Sequence, residues 1–273
     1  MAKIHFFQAG YCTHPACVAV RGAGFGACQF PARVFLLEAN GRFWLWDTGY
    51  AEHFFDASRG IYSLYAKITP VFFNLSEHIF HQLQGFGLNI KDLSGLIISH
   101  FHADHIAGLK DFTNIPLIAR RLAFDFLKPL TGLKALKQGF LPNLIPSDFE
   151  SRFMAVEQFL PKALPEHLCL DEPHAPKTAW ALPNSNDEIL LVPLDGHAIG
   201  QIGAFVLTDK GWELIASDSA WSAQNFLGRP PAKISHLIMH DMPAFYRTLS
   251  HLSEWHKRGV AIHLSHELDE KLA

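Results

Sequence analysis

The chain has 273 residues, 49% hydrophobic and 18% charged, with a formal net charge of -3. This is the composition of a soluble globular protein with room for one sizeable core, so a single domain spanning 1-273 is expected. Without long Lys or Arg runs there is no basis for a nucleic-acid groove, and no stretch approaches the ~20 apolar residues of a membrane span.

The N-terminus, Met1 to Gln8, carries no apolar leader, which predicts a cytoplasmic protein without a stable membrane anchor. Cys12, Cys17, Cys28 and Cys169 lack zinc-ribbon spacing and are expected to be free thiols, with Cys12 and Cys17 the only pair close enough to raise a question. Ile4 to Phe7 reads as a strand, and the Gly- and Cys-containing stretch to Phe30 as a long loop. Arg33 to Glu38 and Phe43 to Trp46 read as a hairpin closed by Asn40-Gly41. The second strand runs into Asp47-Thr48-Gly49. There Asp47 is expected to brace a metal-binding loop; a turn-forming or directly ligating carboxylate is the alternative.

Residues 51 to 75 spread Phe54, Phe55, Tyr62, Tyr65, Phe72 and Phe73 along an irregular segment. Such aromatics either pack the core or line a substrate pocket, and Phe54, Tyr62 and Tyr65 are the pocket candidates. Ser76 to Gln84 reads as a helix capped by Ser76, with Ile79, Phe80 and Leu83 on one face and with His78 and His81 packed or at the surface.

The densest chemistry follows the apolar run Leu96-Ile97-Ile98, in Ser99-His100-Phe101-His102-Ala103-Asp104-His105. Residues two apart share a face only in an extended segment, so His100 and His102 are expected to project together from a strand end, with Asp104 and His105 on the turn behind them. Imidazole and carboxylate are good ligands for zinc, iron or manganese. Four such groups in six positions point to two neighbouring ions and require further ligands from distant segments.

From about residue 119 to 183 the strand pattern fades. Leu122 to Leu127 and Phe149 to Leu160 look helical between Pro129, Pro142, Pro146, Pro161, Pro165, Pro173 and Pro176, which predicts a helical cap inserted over the site. His167 and His174, within it, lack a partner at ligand spacing. Strands resume with Ile189 to Leu194, leading into Gly196-His197, where a glycine lets the backbone turn and aim a His197 ligand. Gln201 to Leu207 and Trp212 to Ala216 read as a hairpin ending at Asp218, a carboxylate suited to bridge two cations. Ile234 to Met239 is predicted as a strand, Pro243 to Lys257 as an amphipathic helix and Val260 to Leu264 as a last strand. His266, just beyond it, is the preferred final ligand. His263 is the fallback, and His236 and His240 rank behind both.

These residues resemble the metallo-β-lactamase superfamily, whose His-x-His-x-Asp-His motif stands at His100 to His105 and whose further landmarks occur in order as Asp47-Thr48-Gly49, Gly196-His197, Asp218 and His266. The resemblance implies an α+β fold, a four-layer αββα sandwich, with two divalent metal ions at one edge. It assigns His100, His102 and His197 to one ion and Asp104, His105 and His266 to the other, with Asp218 bridging. Size, the aromatic segment, the insert and the stretch from Asp218 to Phe226 look most like N-acyl homoserine lactonases. Two departures stand out: Trp221 occupies a position where those enzymes typically have a tyrosine contacting substrate, and Ala198 one where Ser or Thr is common.

The expected activity is hydrolysis of a lactone or small carboxylic ester by a metal-bridging hydroxide, with Asp104 moving the proton and Trp221, Phe54, Tyr62 and Tyr65 holding an apolar part of a small-molecule substrate. Zinc is the first expectation for the metal, ahead of Fe, Mn or Co. A thioesterase of the glyoxalase II type or a phosphodiesterase is the enzymatic rival, and a metal-binding or sensing module the non-enzymatic one. A homodimer is compatible with the reading.

Overall fold

Along Ala27–Ala39 the residues Val34, Phe35, Leu36 and Leu37 are all buried although successive side chains point to opposite faces, so this strand must have a packed layer on each side. The computed structural model, which describes residues 1–172 and 174–267, supplies those layers. The first sheet is built from β1 (Lys3–Pro15), β2 (Ala27–Ala39), β3 (Arg42–Trp46), β4 (Val71–Phe72), β5 (Leu93–Ile97), β6 (Leu117–Ala119) and β7 (Phe153–Ala155), in the order β4-β1-β2-β3-β5-β6-β7. The second is built from β8 (Pro161–Ala163), β9 (Thr178–Ala181), β10 (Ile189–Pro193), β11 (Ile202–Thr208), β12 (Gly211–Ser217) and β13 (Ala261–Leu264), in the order β13-β12-β11-β10-β9-β8. Both sheets are mixed: β3, β5, β6 and β7 run parallel, as do β12 and β13, and the remaining pairs are antiparallel.

Between the sheets lie Phe35, Leu37, Trp44, Trp46 and Ile97 from the first and Leu191, Ile202, Ala204, Val206 and Ile215 from the second. Removing one of the two indoles would cost about 3–5 kcal/mol. Trp46 also donates its indole N–H to Ser217 Oγ at 2.9 Å, which ties the end of β3 to the end of β12. Helices cover the outer faces. Ile79–Phe86 buries Ile79 and Leu83, and Met242–Lys257 buries Phe245, Leu249, Leu252 and Trp255, the last meeting the Phe205 ring edge-on at 5.0 Å. The result is an α+β sandwich with helix, sheet, sheet and helix as its layers.

Several expectations are corrected. The stretch before Phe30 is no long loop: β1 and β2 pair from Lys3↔Glu38 to Pro15↔Ala27, with a register shift between Gln8 and Tyr11. A bulge at Gly10, whose φ is 76°, lets the ladder continue past a break in the apolar alternation. The helix expected from Ser76 starts at Ile79 instead, because Asn74 and Glu77 close a separate capped turn at Leu75–Glu77. Residues 119–183 carry helices at Arg121–Leu127, Gly132–Lys137 and Phe149–Arg152, but they also contribute β7, β8 and β9. Phe149 to Leu160 is therefore not one helix; Phe153–Ala155 leaves it to extend the parallel edge beside β6. Ile234 to Met239 is not a strand but a 3-10 turn at Lys233–Leu237, since β12 is already paired by β13. Pro173, one of the prolines punctuating the insert, lies outside the described residues.

Candidate metal centre

Strand ends converge on one edge of the sandwich. Asp47 follows β3, Ser99 to His105 follow β5, His197 lies beyond β10, Asp218 follows β12 and His266 follows β13. Asp47 and Ser217 take left-handed conformations at φ 61° and 48°, an uncommon choice for non-glycine residues that turns the chain sharply at each strand end.

The side chains form two groups in which the donor atoms of each lie within 4.8 Å of one another: His100, His102 and His197, and then Asp104, His105, Asp218 and His266. The groups touch: the His100 and His105 rings lie tilted against each other with centroids 4.0 Å apart. Within the first group His102 Nδ1 faces His197 Nε2 at 3.0 Å. Asp218 reaches across both, with Oδ2 at 3.4 Å from His197 Nε2 and 3.0 Å from His266 Nε2, and Oδ1 at 3.3 Å from His105 Nε2. Asp104 Oδ2 lies 3.1 Å from His266 Nε2 and 3.4 Å from His105 Nε2.

The rings are braced from behind. Asp47 Oδ2 accepts from His105 Nδ1 at 2.8 Å, while its oxygens also accept from the Ser99 backbone N–H and hydroxyl at 2.7 Å each. His266 Nδ1 donates to the Pro31 carbonyl at 2.8 Å. Each bond places the hydrogen on Nδ1 and leaves Nε2 to face the centre, the tautomer a metal ligand needs. Gly139 presses on His102 from outside: at φ 62°, a Cβ there would come within 2.6 Å of the ring. Gly196, at φ 133°, likewise passes where a Cβ would strike the Phe245 backbone at 2.3 Å.

Burial and charge act differently in the two groups. Asp47, Asp104 and Asp218 are all buried, and the partners facing them are imidazoles, an indole, a hydroxyl and a backbone N–H. Burial lowers the three imidazoles of the first group, His102 to about 4 and His197 to about 3, so they are neutral lone-pair donors. In the second group burial is outweighed: the carboxylates push His266 up to about 10, and the imidazoles hold Asp104 and Asp218 well below the usual carboxylate range. His100 Nε2, His105 Nε2 and Asp218 Oδ1 are buried without a hydrogen-bond partner among the described residues. Orphaned lone pairs facing a common space, next to buried negative charge, fit a pair of divalent cations.

A cavity of about 430 Å³ opens beside the centre. Its walls are mostly apolar, with Phe30, Trp221, Ile234, Leu237 and Ile238 around His102, Asp104 and His266. Tyr65 and Trp221 line it. Phe54 and Tyr62 do not: Phe54 is fully buried against Tyr50 and Tyr65, and the Tyr62 hydroxyl accepts the Gly132 N–H at 2.9 Å. Core packing claims these two because the aromatic segment folds inward at Phe54 before it reaches the cavity. Cys12, His14, Phe30 and Tyr50 line the cavity unforeseen. The register that sets Cys12 opposite Phe30 would have revealed two of them, had the hairpin been extended past Gly10.

Histidines outside the two ligand groups have partners of their own. His263 bonds Glu213 at 2.7 Å, His236 meets the Tyr246 hydroxyl at 3.1 Å and His240 faces Gln138 at 3.3 Å. His78 is buried and, with His53, donates to Asp111 at 3.0 and 2.9 Å. All four cysteines are free.

Residues 29–122 match the family model described as the metallo-beta-lactamase superfamily. The curated N-acyl homoserine lactonase AiiB of Agrobacterium fabrum is 25% identical over 251 residues, covering 89% of this chain and 81% of that protein. A solved N-acyl homoserine lactone hydrolase, with N-hexanoyl-L-homoserine bound at its catalytic metal centre, superposes with a TM-score of 0.70 at 19% identity, covering 98% of this chain and 94% of its own. The dizinc quorum-quenching lactonase AidC superposes with a TM-score of 0.63 at 14% identity, covering 97% and 87%.

Proposed function

We propose that this chain, which has the metallo-β-lactamase fold, is a dinuclear metal-dependent hydrolase that opens lactones carrying an apolar acyl chain. The observation that carries the reading is the shared position of Asp218, which faces donors of both ligand groups beside a mostly apolar cavity. His100, His102 and His197 would hold one ion and Asp104, His105 and His266 the other, with Asp218 between them. The ions would supply Lewis acidity toward the ester carbonyl and acidify water in their reach. Zinc is the ion we assign first, since imidazole and carboxylate suit it.

The protein's own groups do the rest. Asp104 has one oxygen against His266 and His105 and lies on the cavity wall, so it is placed to take the proton released as water attacks and to return it to the leaving alcohol. Asp47 keeps His105 oriented through that cycle. Trp221, Leu237 and Ile238 exclude water from the apolar end of the substrate, the part to which the AiiB and N-hexanoyl-homoserine likenesses point. We read residues 1–273 as one catalytic domain that works in the cytoplasm; a homodimer is the assembly to test for. Among the described residues no helix is long and apolar enough to cross a membrane.

The test is a panel of N-acyl lactones of rising acyl length, with an aryl ester, a glutathione thioester and a phosphodiester beside them, on metal-loaded protein and its Asp104→Asn variant. Lactone turnover that rises with acyl length and is lost in the variant is expected. Cleavage of the thioester or phosphodiester with inert lactones would reassign the substrate, and no turnover of any compound would leave a metal-binding protein. Size-exclusion chromatography with light scattering reads the assembly.

A further inference from the structure

The two oxygens of Asp218 are not equivalent. Oδ2 lies 3.4 Å from His197 Nε2 and so reaches the three-histidine group, whereas Oδ1 faces His105 of the other group at 3.3 Å. Asp104 turns its Oδ2 to His105 and His266, both in that other group. Asp218 Oδ2 also accepts the indole N–H of Trp221 at 3.3 Å, while Oδ1 is buried with no hydrogen-bond partner among the described residues. The indole itself is fixed. It is buried, meets the His197 ring edge-on at 5.7 Å and the Phe30 ring at 6.1 Å, and its residue donates its backbone N–H to Asn225 Oδ1 at 2.9 Å. Asn225 in turn donates from Nδ2 to the Ala19 carbonyl at 2.8 Å, so the loop that carries Trp221 is tied to the helix Ala16–Ala19.

Resting on the two-ion reading above, we propose that Trp221 is a positioning residue for the metal centre: its indole N–H holds Asp218 Oδ2 toward the three-histidine group, so that the carboxylate is shared between the two groups. A carboxylate turns easily about its last side-chain bond. On one side of Asp218 stand two imidazoles, His105 and His266, at 3.3 and 3.0 Å, and on the other stands His197 alone at 3.4 Å. Left to itself, the carboxylate would turn toward the pair. The indole opposes that turn with a donor that accepts nothing and keeps its hydrogen, so its hold does not depend on the state of its neighbours. The consequence falls on the first group. His100, His102 and His197 bring no charge of their own as neutral ligands, and Asp218 Oδ2 is the oxygen through which a dication among them would meet negative charge.

The experiment compares wild type, Trp221→Phe and protein carrying at position 221 the benzothienyl analogue of tryptophan, in which sulfur stands in place of the N–H. Zinc binding is followed by competition with a chelating dye, the Mn²⁺-loaded protein by electron paramagnetic resonance, and the melting temperature is taken without metal. Both replacements keep an aromatic ring between His197 and Phe30, and the analogue keeps its shape. One of the two zinc equivalents should weaken about 10–100-fold while the other holds, as expected when a partner behind a ligating carboxylate is lost. The spin coupling between the two manganese ions should fall with it, at an unchanged melting temperature of the metal-free protein. Two equivalents within about twofold of wild type and an intact coupling in the analogue overturn this inference alone. Equal weakening of both equivalents, or a metal-free melting temperature that falls in the analogue, makes Trp221 a packing residue and overturns it as well. Wild-type protein that takes up fewer than two ions removes the two-ion reading and this inference together.

Discussion

The ligand cluster and the cavity beside it are built from different parts of the chain. The cluster is carried by the ends of β3, β5, β10, β12 and β13, of which all but the edge strand β13 are mostly buried, and Trp46 and Ser217 tie β3 to β12 across the sandwich. The cavity is walled by the β1–β2 hairpin and by two segments outside the sheets, residues 50–69 and 234–238, where Ile234, Leu237 and Ile238 are 63%, 77% and 52% exposed. The candidate ligand atoms thus sit at buried strand ends, and much of the apolar wall on segments outside the sheets. The difference teaches that the wall can change in shape with little effect on the strand ends that carry the ligand cluster.

The sharpest way to break that division is to empty the centre. Chelation should abolish turnover and also lower the melting temperature, since an ion bound only by the folded state stabilises it, whereas apolar ligands of the cavity should leave metal content unchanged. Differential scanning calorimetry with and without added metal reads both. Next in size is Asp47→Asn, which keeps every proposed ligand but takes the negative charge from behind His105; metal affinity should fall about 10–100-fold by competition with a chelating dye, at near-normal substrate KM. If KM moved instead, the two regions would not be separable.

A smaller effect is expected on the other side. Leu237→Ala should raise KM for long-acyl lactones by roughly three- to tenfold, as lost apolar contact implies, and leave short-acyl substrates and metal content alone. The smallest effect lies outside both regions, at the Glu213–His263 pair on β12 and β13. Burial would raise Glu213, but the Thr208 hydroxyl and His263 pull it below its ordinary value of 4.5. A depressed carboxylate stabilises the fold above that value and loses the contribution as pH falls through the lower folded one. Glu213→Gln should therefore cost less than about 1 kcal/mol near pH 7 and nothing at strongly acid pH, without affecting turnover.

The same division governs what could be read from sequence. His100, His102, Asp104 and His105 announce themselves because four ligating groups fall in six positions behind an apolar run, and the resemblance adds Asp47, His197, Asp218 and His266 in order. The unbroken apolar run Val34 to Leu37 and the Asn40-Gly41 turn give the heart of the first sheet. Cavity walls leave no such trace. Ile234 to Met239 has the composition of a strand, and only the occupied edge at β13 makes it a turn whose apolar residues face the centre. Phe54 and Tyr65 are equivalent in sequence, yet one enters the core and the other the cavity. A single shift of the ladder beside Gly10 separates a loop from a hairpin that brings Cys12 and Phe30 to the site.

One contact behind the centre bears on how this protein can evolve. The backbone at Gly139 lies so close to the His102 ring that even a methyl group would displace an imidazole or the loop. Position 139 is thus a lock of one residue: what it can carry is set by a ring it never bonds. A larger residue there, or an insertion that moves the loop toward the ring, has to displace His102.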